Sequence, residues 1–261
     1  MDRGGVCNRP VNAQRPTRAD VGARAAPHRA VWGLFSRKER WGFSWKGRLL
    51  LLLLLIGLAI CFVYGVYPFL AITHRVNATN LVIEGWIHRY AFRVGTEEFN
   101  SGAYVRVFTT GGPVVGIGHY INDYQTSASL GSAALKQLGI AADLVQMVPS
   151  HEIGRDRTYS SAVALREWFR DHKMPVQSMN VLTEATHARR TRFLFQKAFG
   201  NNVKVGIISV PNPDYDPKHW WRSSEGVKDV IFESVAYMYA RLFFYPSETR
   251  SEALEREVLN R

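Results

Sequence analysis

Residues 178–199 read SMNVLTEATHARRTRFLFQKAF. The run Ser178–Thr183 has the character of a strand, and Ala188–Phe199 that of a helix, with a short polar joint between them. The same alternation extends in both directions. Leu81-Val82-Ile83 is a predicted strand followed by a helix through Tyr90–Asn100, and Tyr104–Thr109 a strand followed by a helix through Thr126–Leu138. Asp143–Val148 is a third strand, Arg157–Asp171 a helix, and Val203–Val210 a fifth strand. Repeated β-α units with right-handed crossovers specify an α/β fold: a parallel sheet with helices on both faces. A last helix is expected at Glu225–Phe244. There Ile231, Val235, Met238 and Leu242 share one face, and Phe232, Ala236, Tyr239 and Phe243 an adjacent one. Two readings stay open for it: packing on the sheet, or contact of Phe243-Phe244-Tyr245 with a bilayer.

Upstream, residues 49–72 read LLLLLLLIGLAICFVYGVYPFLAI without a charge. About 20 apolar residues in a helix cross a hydrocarbon core, so this run is expected to be a transmembrane helix. The alternatives are a buried core helix, which is normally shorter and striped, and a cleaved signal peptide, but 48 residues precede the run and Phe69-Leu70-Ala71 is a poor cleavage site. Arg37, Lys38, Arg40, Lys46 and Arg48 lie before the span, and only Arg75 and then Arg89 follow it closely. The positive-inside rule therefore predicts a cytoplasmic N-terminus, a plasma (inner) membrane anchor, and an exported, periplasmic domain over residues 76–245.

The net charge of +11 invites a nucleic-acid reading until its distribution is considered. Residues 1–48 hold eleven basic against three acidic residues, a net +8; the remaining 22 basic and 19 acidic residues give only +3. The excess sits in the tail, and nucleic acid is not expected as a partner. Residues 1–30 are expected to be disordered, because they are poor in large apolar side chains. The aromatic and basic stretch Trp32–Trp45 is expected at the headgroup level, and residues 246–261 as a loose tail. Both cysteines, Cys7 and Cys61, precede the exported domain, which therefore has neither disulfides nor a cysteine metal site.

Ligands in open parallel sheets collect at the carboxyl ends of the strands, beside helix N-termini. Four segments should converge there: Glu84-Gly85-Trp86, Thr110-Gly111-Gly112, Ser150–Thr158, and Thr183–Arg190. Gly111-Gly112 can wrap an anion or form a plain tight turn. Arg155, Arg157 and Thr158 open a helix, whose dipole also favours an anion, although Thr158 serves equally as an N-cap. His187 and Arg190 stand three apart at a helix start, where a histidine can also be a capping or packing residue. Together these groups suit phosphate or carboxylate, and Glu84 could act as a base, bind a metal or hold the arginines. His88, His119, His151 and His187 are too scattered to define a metal site. A phosphate loop, an HExxH pair and a GxSxG elbow are all missing, and Gly116-Ile117-Gly118 lacks the third glycine of a dinucleotide fingerprint.

The order of Glu84-Gly85, Thr110-Gly111-Gly112, Arg157-Thr158 with Ala162, and Thr183 with His187 and Arg190 resembles the YdcF/SanA/ElyC family over roughly residues 79–210. An anchor followed by a domain resembles its membrane-bound members. The block Trp220–Gly226 lies outside the common pattern. The resemblance implies a Rossmann-like fold and a part in envelope or peptidoglycan formation around the lipid carrier. No cofactor is assigned. The leading expectation is an envelope-biogenesis factor binding a phosphorylated or lipid-linked carrier, held by Thr110, Gly111, Gly112, Arg155, Thr158 and Arg190. A phosphoester or pyrophosphate hydrolase using Glu84 and His187 is the rival. The third reading is a scaffold that recruits an envelope partner through Trp220 and Trp221.

Overall fold

The computed structural model describes residues 35–37, 41–102, 104–114, 125–151 and 156–246. The expected disorder of residues 1–30 and the loose end after Pro246 lie outside these residues, as do Arg155, His119 and Gly116–Gly118. Within Trp32–Trp45, expected at the headgroup level, two short strands pair antiparallel, β1 (Phe35–Arg37) with β2 (Trp41–Phe43). Helix α1 covers Trp45–Leu70. It starts four residues before the apolar run because the Ser44 hydroxyl accepts from the Gly47 N–H at 3.2 Å. Its 26 residues span about 39 Å, and it is long and apolar enough to cross a membrane.

The α/β fold is present as a five-stranded, all-parallel sheet in the order β5 (Val145–Pro149), β4 (Arg106–Gly111), β3 (Asn80–Glu84), β6 (Ser178–Glu184), β7 (Lys204–Val210). Its units are β3, α2 (Arg89–Ser101), β4, α3 (Ser127–Gln137), β5, α4 (Arg157–Asp171), β6, α5 (Ala188–Phe199) and β7. The second strand runs later than its residue pattern suggests, from Arg106 to Gly111, because its register is set by β3. Alternate residues of each strand enter opposite layers. Val82, Phe108, Val181 and Ile207 pack with Leu165 and Phe169 of α4 and Phe195 of α5. On the other face Leu81, Ile83, Val107 and Leu182 pack with Phe92 of α2 and Leu135 of α3. Each such buried side chain contributes roughly 1.5–3 kcal/mol, so the two layers hold the sheet edges in fixed positions.

The chain leaves β3 toward β4 and β5, then returns to place β6 on its other side. A crevice therefore opens at the carboxyl ends of β3, β4 and β6, where the direction of winding reverses. The link from α1 is stitched to the sheet. Asn180 Oδ1 accepts from the Val76 N–H, and its Nδ2 donates to the Val76 carbonyl, both at 2.9 Å. His74 exchanges two backbone hydrogen bonds with Ile207.

Helix α6 (Ser224–Leu242) follows a turn of 3-10 helix over Pro217–Arg222. Val66, Tyr67 and Leu70 at the end of α1 pack with Tyr215, Trp220 and Val230. The Trp220 indole N–H donates to the Val63 carbonyl at 2.8 Å, and Phe69 meets Tyr237 edge-on at 5.5 Å.

Candidate functional site

Two strand ends, of β3 and β4, and the starts of three helices, α3, α4 and α5, meet in a cavity of about 450 Å³. Glu84 ends β3, and the following Gly85 has no room for a side chain: a Cβ there would stand 2.0 Å from the Ser127 carbonyl oxygen. Gly111 ends β4 with φ +148°, in the region that favours glycine, and its α-carbon also abuts Ser127. The two glycines thus let the start of α3 sit directly on the strand ends. There it is fixed by a capping box in which Thr126 and Ser129 bond each other's backbone. Of the expected pair only Gly111 has positive φ; Gly112 contributes its carbonyl to the Ser127 N–H at 2.8 Å.

The start of α4 forms the opposite rim. Asp156 precedes it at φ 55° and makes no side-chain cap, so Thr158 is the second helical residue and not the N-cap. Arg157, Thr158 and Ser161 line the cavity. Arg157 is exposed and makes no ion pair among the described residues. Thr110 is fully buried and lines the cavity, yet its hydroxyl has no partner among the described residues. A buried hydroxyl costs free energy until something bonds it, so Thr110 stands ready for a ligand oxygen.

The third wall is a closed polar triangle. Arg190 donates to Glu233 of α6 from Nε (2.8 Å, to Oε2) and from Nη2 (3.1 Å, to Oε1), and Nη2 also donates to His187 Nδ1 at 2.7 Å. A guanidinium can only donate, so Nδ1 accepts and the proton of neutral His187 sits on Nε2, directed at Glu233 Oε1 3.1 Å away. Burial, together with the Arg190 and Arg157 charges, holds the His187 pKa well below its usual value. The Trp86 ring lies against the imidazole, centroid to centroid 4.4 Å. Both histidine nitrogens are therefore engaged within the protein, and Arg190 gives two of its five donors to Glu233 and a third to His187.

Glu84 is buried, 1% exposed, and accepts from the Thr191 hydroxyl at 3.0 Å. Burial pushes its carboxyl pKa up, and Thr183, Arg190, Thr191 and Trp86 only partly oppose this. It is the group in the cavity best placed to hold or exchange a proton. Among the described residues no three metal-ligating side chains are grouped to hold an ion.

The cavity thus collects Glu84, Thr110, Gly111, Gly112, Thr158, His187 and Arg190 from the expected set, while Arg155 lies outside the described residues. Trp220 and Trp221 are elsewhere, beside α1, and Trp220 is 4% exposed. Glu233 and the apolar wall formed by α6 and Phe244 beyond its end (Ala236, Tyr239, Ala240, Phe244) were not among the expected site residues. One signal was available: Glu233 is the single charged residue between Val230 and Ala240. No protein-family model, curated protein or solved structure matches this chain.

Proposed function

We propose that this chain is a membrane-anchored envelope-biogenesis factor, with its N-terminus cytoplasmic and its α/β domain exported. In this reading the domain binds a phosphorylated, lipid-linked carrier used in peptidoglycan or surface-polysaccharide formation. One observation carries it: a cavity at the winding reversal of the sheet that has a cationic, hydrogen-bonding side and an apolar side. Arg157, the unsatisfied Thr110 hydroxyl and the α4 N-terminus offer donors to a phosphate. Leu194, Ala236, Tyr239, Ala240 and Phe244 offer an apolar wall to whatever the phosphate is attached to. Arg190 supports the wall by neutralising Glu233, and only its Nη1 group is left for a ligand.

A second reading, hydrolysis of a phosphoester or pyrophosphate, is favoured by Glu84, whose raised pKa suits a proton acceptor or donor. His187 is less suited to that role, since both its nitrogens are bonded. The test is to offer full-length protein in nanodiscs polyprenyl phosphate and pyrophosphate, and to follow binding and phosphate release with and without divalent metal. Binding without release supports the carrier-handling reading. Release abolished by Glu84→Gln supports the hydrolase, and neither binding nor release defeats both.

A further inference from the structure

The exposed face of α6 is larger and more apolar than packing on the sheet requires. At 100° per residue, Val227, Ile231, Phe232, Val235, Met238, Tyr239, Leu242 and Phe243 fill a continuous arc of about 160°. All of them are exposed, Phe232 at 69% and Phe243 at 67%. Two charges fall in the arc, both near the helix start: Lys228 inside it and Glu225 at its edge, paired with each other at 3.3 Å. The residues that hold the helix lie on other sides: Val230 and Tyr237 face the end of α1, and Ala236 and Ala240 face the cavity. So large an exposed apolar surface on a helix marks an interaction site.

What covers it is indicated by its neighbour. About 60° round α6 from the edge of the arc, past Arg241 and Ser234, lies the face that packs on Val66, Tyr67 and Leu70, the last turns of the apolar helix α1. Trp220, just before α6, bonds the carbonyl of Val63, which lies about 10 Å below the end of α1. If α1 spans a membrane, Trp220 and the start of α6 reach that carbonyl only at bilayer depth. Cationic side chains ring the far end: Lys197 lies over Phe244 and Tyr245, and Arg241 over Phe193. Basic groups beside aromatic rings match an anionic headgroup layer.

We infer that the exposed arc of α6 docks into the outer leaflet, so that the domain lies on the membrane as an interfacial helix does, beyond being tethered to it. This rests on the reading of α1 as a membrane anchor. Tyr239 belongs both to the arc and to the cavity wall, at 43% exposure. The cavity mouth therefore borders the lipid, and a lipid-linked phosphate reaches it sideways without its chain crossing water.

The experiment uses the full chain, with Cys7 and Cys61 replaced by serine, in vesicles of mixed neutral and anionic phospholipid. Single cysteines at Phe232→Cys, Val235→Cys and Leu242→Cys carry a nitroxide. The ratio of oxygen to nickel-chelate accessibility is compared with Leu55→Cys in α1 and with Lys173→Cys on an exposed helix end. The expected result is a ratio at all three arc positions closer to that of Leu55→Cys than to that of Lys173→Cys. Arc positions matching Lys173→Cys while Leu55→Cys remains lipid-like overturn the docking face alone. A water-like Leu55→Cys overturns the anchor as well. Spin–spin broadening at the arc positions, lost on dilution with unlabelled protein, assigns the face to a second copy and also overturns the proposal.

Discussion

Arg190 and Glu233, 43 residues apart, hold each other by a two-point ion pair with Nε to Oε2 at 2.8 Å and Nη2 to Oε1 at 3.1 Å. The pair fastens α6 to the start of α5 and sets the back wall of the cavity. Its two side chains are 17% and 11% exposed, so neither charge has much water to turn to when its partner is lost. Arg190→Ala should therefore destabilise the protein by about 3–5 kcal/mol, as expected for an orphaned buried charge. Arg190→Met with Glu233→Leu should recover most of that. Denaturant unfolding of the four-member cycle measures both; a cost below about 1 kcal/mol for Arg190→Ala would show that the pair carries no structural weight.

The strand-end glycines make a second prediction. A Cβ at Gly111 would lie 2.6 Å from the Ser127 Cβ on a backbone of positive φ, and one at Gly85 would lie 2.0 Å from a backbone oxygen that cannot swing aside. Gly111→Ala and Gly85→Ala should each lower stability by about 1–3 kcal/mol or more. Gly139→Ala, which meets nothing within 4 Å, is the comparison at another glycine of positive φ. Its strain without a clash should cost less, as thermal unfolding of the three variants will show.

Glu84 gives a pH dependence of defined sign. Its folded pKa is raised by burial, so the folded state keeps a proton that the unfolded chain releases from about pH 4.3 upward. The stability associated with this group is full below that value and is lost as pH rises through the folded pKa. Glu84→Gln keeps an acceptor for the Thr191 hydroxyl and removes the titration. Its melting temperature should exceed that of wild type near neutral pH, with the gap closing toward pH 4. His187 acts in the other direction: its lowered pKa leaves it neutral in the fold while the unfolded chain takes a proton below about pH 6.5. That contribution is full above pH 6.5 and lost as pH falls toward the folded pKa. A Glu84→Gln melting curve parallel to wild type at every pH would remove the buried-carboxyl account.

Thr110 separates stability from binding. Its hydroxyl is buried without a partner among the described residues, so Thr110→Val, close in shape, should leave the unliganded protein as stable or more stable. The same change should weaken phosphate binding, because a donor is lost on the cavity wall. Thermal unfolding with and without polyprenyl phosphate tests both halves; equal ligand-induced stabilisation of the two proteins contradicts the assigned role.

Much of this architecture was legible in the residue pattern. Arg157–Asp171 and Ala188–Phe199 are helices with the predicted ends, and the strands fall where apolar β-branched runs alternate with them. Local periodicity determines such elements. It carries no information on which strands neighbour each other, and the order β5-β4-β3-β6-β7 emerges only from packing. For the same reason the strand ends appeared as a set while their partners did not. Glu233 stands out in α6 as a lone charge among apolar residues, but no spacing rule links it to Arg190, 43 residues away. Arg190 consequently looked free for an anion in the sequence, whereas the fold commits it to Glu233 and His187 and leaves Arg157 as the unpaired cation among the described residues of the cavity.

The most direct test of the account is polyprenyl phosphate binding to the full chain in nanodiscs, wild type beside Arg157→Ala. Arg157 is exposed and unpaired among the described residues, so the variant should unfold within about 0.5 kcal/mol of wild type. Loss of one charge-assisted bond to phosphate, about 1.5–3 kcal/mol, predicts a Kd roughly ten- to a hundredfold weaker. Wild-type protein that binds no polyprenyl phosphate, or a variant that binds it as tightly, would contradict the proposal that this cavity receives a lipid-linked phosphate.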